Sequence, residues 1–136
     1  MTTTSISTKP SISAIWRNGL LATGITAVVN AILYLVGSAL GNMPPLITPM
    51  GTPLTLAPVL LMSIVPLLLA TLVYTVLTRL TPRRANLIFI IIAVLVFIGF
   101  LFGPLQLAGA PMGMILLLEI MHVVATGSIV YSLTRL

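Results

Sequence analysis

The sequence predicts an all-α integral membrane protein, a bundle of four transmembrane helices. Its composition supports this prediction, because 59% of the 136 residues are hydrophobic and only 5% are charged. A soluble domain carries about 25% charged residues, since its surface faces water, and disordered chains are also polar. In addition, the apolar residues are grouped into stretches that approach the roughly 20 residues needed to cross a bilayer.

Short segments rich in proline, glycine or arginine separate four apolar stretches. The predicted spans cover residues 18–40, 54–78, 86–102 and 112–133. The first and third connections, residues 41–53 and 103–111, contain several prolines and glycines. The second, residues 79–85, contains arginines and one proline. Because proline has no backbone N–H to donate, such clusters end helices.

The residues before the first span are polar and rich in serine and threonine. We expect residues 1–15 to form a disordered cytoplasmic tail and residues 16–136 to form a single four-span domain. A polar start followed by an apolar run also resembles a secretory signal peptide. The apolar region of a signal peptide is about 7–15 residues, however, which is shorter than this run. The run also contains Asn30, so we expect the first span to be retained.

With four spans, every lysine and arginine falls on one side of the membrane. These residues are Lys9, Arg17, Arg79, Arg83, Arg84 and Arg135. The positive-inside rule then predicts that both termini and the middle connection are cytoplasmic, in a cell membrane that we expect to be bacterial. The basic residues lie at span ends and form no continuous basic face, which argues against nucleic acid as a partner.

The two halves of the chain share short phrases that suggest two parallel-repeated helical hairpins. These are Pro49-Met50-Gly51 and Pro111-Met112-Gly113, then Val73-Tyr74-Thr75 and Val130-Tyr131-Ser132, and the glycine pairs Gly37/Gly41 and Gly99/Gly103. Such a repeat would be related by an axis along the membrane normal. Coincidence stays open, because short matches arise by chance in a chain rich in Leu and Thr. The glycine pairs favour close packing inside one protomer over dimerisation.

Small and polar residues fall on single faces of three spans. In lipid, small residues and interhelical hydrogen bonds hold helices together, so we expect these faces to point into the bundle. They are Thr23, Ala27, Asn30, Tyr34, Gly37 and Gly41; Ser63, Pro66, Ala70 and Tyr74; and Glu119, His122 and Thr126. The third span has no polar side chain between Leu87 and Phe102, so we expect it to face the most lipid. We expect Pro66 to kink the second helix.

The candidate intramembrane polar site contains Glu119, His122, Asn30, Tyr34 and Thr126. Glu119 is the only acidic residue, and it lies roughly 10 Å from the outer end of its span at about 1.5 Å per residue. A charge at the bilayer centre costs about 2.5–3.5 kcal/mol on insertion scales. We therefore expect Glu119 either to carry a proton or to pair with a protonated His122, three residues further along the same helix.

The chain lacks the residue sets that common enzymes use. It has no cysteine and one histidine, which excludes thiolate chemistry and a multi-histidine metal centre within one protomer. A single acid cannot form an acid–base pair, and no phosphate-binding glycine loop is present. We predict no enzymatic activity, no metal and no cofactor.

Three functions remain open. The favoured one is a structural or accessory role, with a buried Glu119–His122–Asn30 polar core that joins helices. The alternative is a small proton-coupled transporter or channel subunit that uses Glu119 as its exchange site. The third is binding of a quinone or another lipid-like molecule by His122 and Tyr34. The expected partners are the lipid bilayer and either a second copy of the chain or another membrane protein.

Three short motifs resemble an uncharacterised family of small bacterial four-helix membrane proteins. They are Trp16-Arg17-Asn18-Gly19-Leu20-Leu21-Ala22, Asn30 in the first span, and Met121-His122-Val123-Val124 in the fourth. The resemblance covers Trp16 to the C-terminus and implies no activity. Small multidrug-resistance transporters also have four spans and one intramembrane glutamate, but their glutamate lies in the first span. Here that span has Asn30 and the acid lies in the fourth, which argues against membership.

Overall fold

The computed structural model describes residues 9–44 and 51–136, and it is built from four helices. They are α1 (Ile12–Ala39), α2 (Leu56–Leu80), α3 (Ala85–Leu105) and α4 (Met112–Thr134). By length and composition, all four are long and apolar enough to cross a membrane. The prediction of an all-α protein with four spans is confirmed.

Helix α1 begins earlier than the sequence predicts. Ser11 caps it, because the Ser11 hydroxyl accepts a hydrogen bond from the backbone N–H of Ala14 at 3.2 Å. Such a cap satisfies one of the N–H groups that have no partner in the first turn of a helix. Residues 12–15, which we assigned to the disordered tail, are therefore helical. The predicted disorder of residues 1–8 falls outside the described residues.

Helix α3 ends later than predicted, at Leu105. Its last turn contains Pro104. We placed residues 103–105 in the third connection, and this placement is wrong. A proline near a helix end removes a single hydrogen bond and leaves the preceding turns intact. The helix then closes with tighter bonds, from Gln106 N to Gly103 O at 3.1 Å and from Leu107 N to Pro104 O at 3.2 Å.

The bundle is asymmetric in its packing. Helix α1 packs most extensively, against both α2 and α4, whereas α3 packs against α4 and much less against α2. One core cluster includes Ile15, Tyr74 and Phe89. A second, near the C-terminal end of α1, includes Met43 and Met114. Helix α3 is the least buried, in agreement with the expectation that it faces the most lipid.

Two asparagine side chains show that the start of α1, the end of α4 and the connection between α2 and α3 lie at one end of the bundle. Asn18 Nδ2 donates to Ser132 O at 3.1 Å, and Asn86 Nδ2 donates to Thr134 O at 3.0 Å. The starts of α1 and α3 therefore meet the end of α4. All the lysines and arginines belong to segments at this end, which we call the basic end. Its cytoplasmic location remains a prediction.

The two glycine pairs have different roles. Gly37 is buried, and a Cβ added there would lie 2.6 Å from Leu117 Cδ1, so it allows α1 and α4 to approach closely. Gly41 does not face a helix as predicted, because it has a φ of 74° beyond the end of α1. There Asn42 N donates to Gly37 O at 2.8 Å, a pairing typical of glycine-terminated helices. Added Cβ atoms at Gly99 and Gly103 would meet nothing within 4 Å.

Matched positions of the proposed repeat also differ in environment. Tyr74 is 2% exposed in the core, whereas Tyr131 is 60% exposed, with the Arg135 guanidinium 4.4 Å from its ring centroid. Pro49 and Met50 lie outside the described residues. The repeat therefore stays a prediction, and the chain uses its two halves differently.

Candidate functional site

A groove of about 580 Å³ lies between α2 and α3, with side chains from α1 and α4 at its floor. The two helices are held together near their short connection. Here the rings of Tyr74 and Phe89 meet edge to face, with centroids 5.0 Å apart. Tyr74 also donates its hydroxyl to Asn86 Oδ1 at 2.6 Å. The groove extends from this contact toward the other end of α3, where it reaches Pro104.

The groove wall is mostly aliphatic and aromatic, with a few polar groups. Among the described residues, it has no lysine, arginine or acidic side chain. Pro66 lies in the wall, inside α2. The polar side chains at the floor are Asn30 from α1 and His122 and Thr126 from α4, with Ser63 from α2 beside them. An apolar pocket with a few polar groups is typical of small-molecule sites.

Asn30 and Ser63 form the best-defined polar contact at the floor. Asn30 Nδ2 donates to Ser63 Oγ at 2.9 Å, and Ser63 Oγ donates to Val59 O at 2.8 Å. Because the single hydroxyl hydrogen of Ser63 goes to Val59, Ser63 can only accept from Asn30. This fixes the orientation of the Asn30 amide. Its Oδ1 is therefore an acceptor, and this atom is buried with no hydrogen-bond partner.

His122 lies at the floor against α3. Its ring centroid is 5.6 Å from that of Phe100, and the two planes are tilted by 30°. The His122 Nδ1 atom is buried and has no hydrogen-bond partner. A neutral imidazole nitrogen either donates or accepts, according to its tautomer. Nδ1 of His122 can therefore act either as a hydrogen-bond donor or as an acceptor.

Glu119 does not join this arrangement. It is partly buried, its Oε2 atom has no hydrogen-bond partner, and it is not part of the groove wall. In the described part of the chain, no hydrogen bond links it to His122. Residues three apart on a helix share a face, but that spacing does not force their side chains to bond. The predicted Glu119–His122–Asn30 cluster is thus not linked by hydrogen bonds, and Asn30 bonds to Ser63 instead.

Only three of the five predicted site residues lie together. Asn30, His122 and Thr126 line the groove. Tyr34 packs against the methionine-rich second cluster, and Glu119 lies elsewhere on α4. No group of three or more metal-ligating side chains occurs among the described residues.

Sequence reasoning missed several interhelical hydrogen bonds. Thr26 and Ser128 join α1 to α4 with hydroxyl oxygens 2.6 Å apart. Asn86 links Tyr74 to the end of α4. A signal was available for both cases, since Thr26 precedes Asn30 by one helical turn and Asn86 is the first residue of a predicted span. Asn86 lies at a span end, whereas Thr26 lies near the middle of α1, so depth in the membrane does not indicate which polar groups form these bonds.

Residues 10–136 match the family described as Family of unknown function (DUF6069). The chain belongs to the DUF6069 family. This confirms the resemblance to an uncharacterised family, while bacterial origin stays a prediction. No curated protein and no solved structure matches the chain significantly. The description of the DUF6069 family carries no activity.

Proposed function

We propose that this protein is a non-enzymatic, multi-pass protein of a bacterial cytoplasmic membrane, with a structural or accessory role. The observation that carries the proposal is the use of buried polar side chains to join helices, as in Asn30–Ser63 between α1 and α2. Thr26–Ser128 joins α1 to α4 in the same way. Such bonds contribute about 0.6 kcal/mol each on average in a membrane, so they mainly specify which faces meet.

An accessory role requires a partner, and the exposed face of α3 is the surface that we propose for one. Gly99 and Gly103 lie one helical turn apart on this helix with open space beside them. Small residues at this spacing let a second helix approach closely. The partner is either a second copy of the chain or another membrane protein.

A second candidate function is proton exchange at Glu119. It is supported by the buried Oε2 atom, which has no hydrogen-bond partner. Because Glu119 is only partly buried, its carboxyl group is either closed off by neighbouring side chains or reached by water. A transporter or channel subunit requires the second condition.

Infrared titration of the protein in lipid distinguishes the two functions. Glu119 is the only side-chain carboxyl group, so the protonated-carboxyl band reports on it. The Glu119→Gln variant is the control, because its only remaining carboxyl group is the C-terminus. We expect a band that does not move across the accessible pH range, as a sealed structural group requires. A band that titrates reversibly near neutral pH, and that disappears in Glu119→Gln, would contradict the structural role and favour proton exchange.

A further inference from the structure

The groove floor presents an acceptor that no described residue satisfies. Asn30 is 3% exposed and lines the groove, and its Oδ1 atom has no donor. The bond from Ser63 to Val59 fixes the amide so that the oxygen is the unpaired atom. Buried polar groups are nearly always hydrogen-bonded, because leaving one unpaired in an apolar medium is costly. A hydrogen-bond donor on an occupant of the groove would satisfy this atom.

The size of the groove indicates a small molecule. A helix with its side chains is about 10 Å across, so the groove volume of about 580 Å³ would hold only about 7 Å of helix, or about five residues. A helix of a partner protein is much longer than that. Pockets for small ligands have volumes of about 300–1,000 Å³, which includes this value.

The charges indicate that the occupant is neutral. No lysine or arginine lines the described part of the groove, and all such residues belong to segments at the basic end. A phosphate or carboxylate at the depth of Asn30 would have no opposite charge nearby. Burying an unpaired charge is far more costly than burying a neutral hydroxyl group.

The acceptor also selects among neutral lipid-like molecules. An oxidised quinone has only carbonyl oxygens at its head, and these cannot donate to Asn30 Oδ1. A hydroxyl group can donate to Asn30, and the same hydroxyl oxygen can accept from another donor. His122 lines the same groove, and its buried Nδ1 atom has no hydrogen-bond partner, so it is a second polar group at the floor.

We propose that the groove binds one neutral lipid-like molecule that carries a hydroxyl group. Its hydroxyl donates to Asn30 Oδ1, and its apolar body lies between α2 and α3 against Val73, Phe89 and Phe100. This inference does not depend on the structural role proposed above, because a sealed Glu119 is compatible with either an empty or an occupied groove.

A pair of matched ligands tests the inference. The full-length protein is placed in phosphatidylcholine nanodiscs with oleyl alcohol or oleyl methyl ether, which differ in whether the head can donate. We expect native mass spectrometry to show one alcohol molecule per chain, bound at least about tenfold more tightly than the ether. Equal retention of the two ligands, or retention of neither, would overturn the proposal. So would tighter binding of an oxidised long-chain quinone than of the alcohol.

Two tryptophan substitutions locate the bound molecule. Ala93→Trp fills the groove from α3, whereas Val28→Trp adds the same ring to a residue of α1 that is 60% exposed and lies outside the groove. We expect Ala93→Trp to abolish alcohol binding and Val28→Trp to leave it unchanged. Similar binding by both variants would overturn the proposed site. In Asn30→Leu, which removes the acceptor, the preference for the alcohol over the ether should disappear; if this variant does not fold, the Ala93 and Val28 pair decides the question.

Discussion

Asn18 and Asn86 hold the end of α4 from two sides. Each is near the start of its helix, and each donates its amide to a backbone carbonyl of α4, at Ser132 and Thr134 respectively. The last four carbonyl groups of a helix have no partner within it, so these two bonds satisfy groups that would otherwise need water. Asn86 also accepts from Tyr74, which makes it the link between α2, α3 and α4.

Replacing Asn86 should therefore destabilise the bundle more than replacing Asn18. Asn86→Ala removes two interhelical bonds and leaves the largely buried Tyr74 hydroxyl without its acceptor, whereas Asn18→Ala removes one bond. We expect Asn86→Ala to lower the free energy of unfolding by about 1–2 kcal/mol and Asn18→Ala to lower it by about 0.6 kcal/mol. Unfolding by sodium dodecyl sulfate in bicelles measures both. A double-mutant cycle with Tyr74→Phe isolates the Tyr74–Asn86 term, and a coupling energy of zero would show that this bond contributes nothing.

Substitution of Ser63 should reveal the cost of the unpaired amide at the groove floor. Ser63→Ala leaves Asn30 Nδ2 without an acceptor while Oδ1 already lacks a donor. Leaving one partner of a buried hydrogen bond unpaired costs more than removing both partners. We therefore expect Asn30→Leu combined with Ser63→Ala to be at least as stable as Ser63→Ala alone. The same unfolding assay measures both variants. A double variant that is clearly less stable than Ser63→Ala would indicate that Asn30 stabilises the bundle through other contacts.

A larger side chain should destabilise the bundle at Gly19 but not at Gly99. A Cβ at Gly19 would overlap the Thr71 side chain across the interface between α1 and α2, while one at Gly99 would meet open space. We expect Gly19→Leu to cost about 1–3 kcal/mol or more and Gly99→Leu to leave the unfolding transition of the single chain unchanged. If Gly99→Leu instead changes the oligomeric mass in nanodiscs, the α3 face is a partner interface. A Gly19→Leu variant as stable as the parent would contradict the close packing of α1 against α2 at this position.

The absence of native cysteines makes the membrane orientation directly measurable. Ser13→Cys near the basic end and Ser38→Cys near the other end of α1 are both at exposed positions. With cytoplasmic termini, an impermeant maleimide should label Ser38→Cys in intact cells and Ser13→Cys only after the membrane is permeabilised. The reverse pattern would contradict the predicted orientation.

The spans were predictable because the length and hydropathy of a transmembrane helix are set by the bilayer, independently of its neighbours. Partners within the bundle were harder to predict. Helical periodicity places Asn30 on an inward face, but it does not say whether Ser63 or His122 faces it. Gly41 shows a related difficulty, because its spacing from Gly37 indicates packing only if the helix continues. Here the backbone turns at Gly41 instead.

The length of α1 has a consequence for how the protein sits in membranes of different thickness. Its 28 residues span about 42 Å, against about 30 Å for the hydrocarbon core of a typical bilayer. Such a mismatch is accommodated by tilting or by extending the helix end among the headgroups, where tryptophan and arginine are favourable. Trp16 and Arg17 occupy that end. Because α2 and α4 pack extensively against α1, we expect a change in its tilt to rotate these helices with it, so bilayer thickness acts on more than one helix.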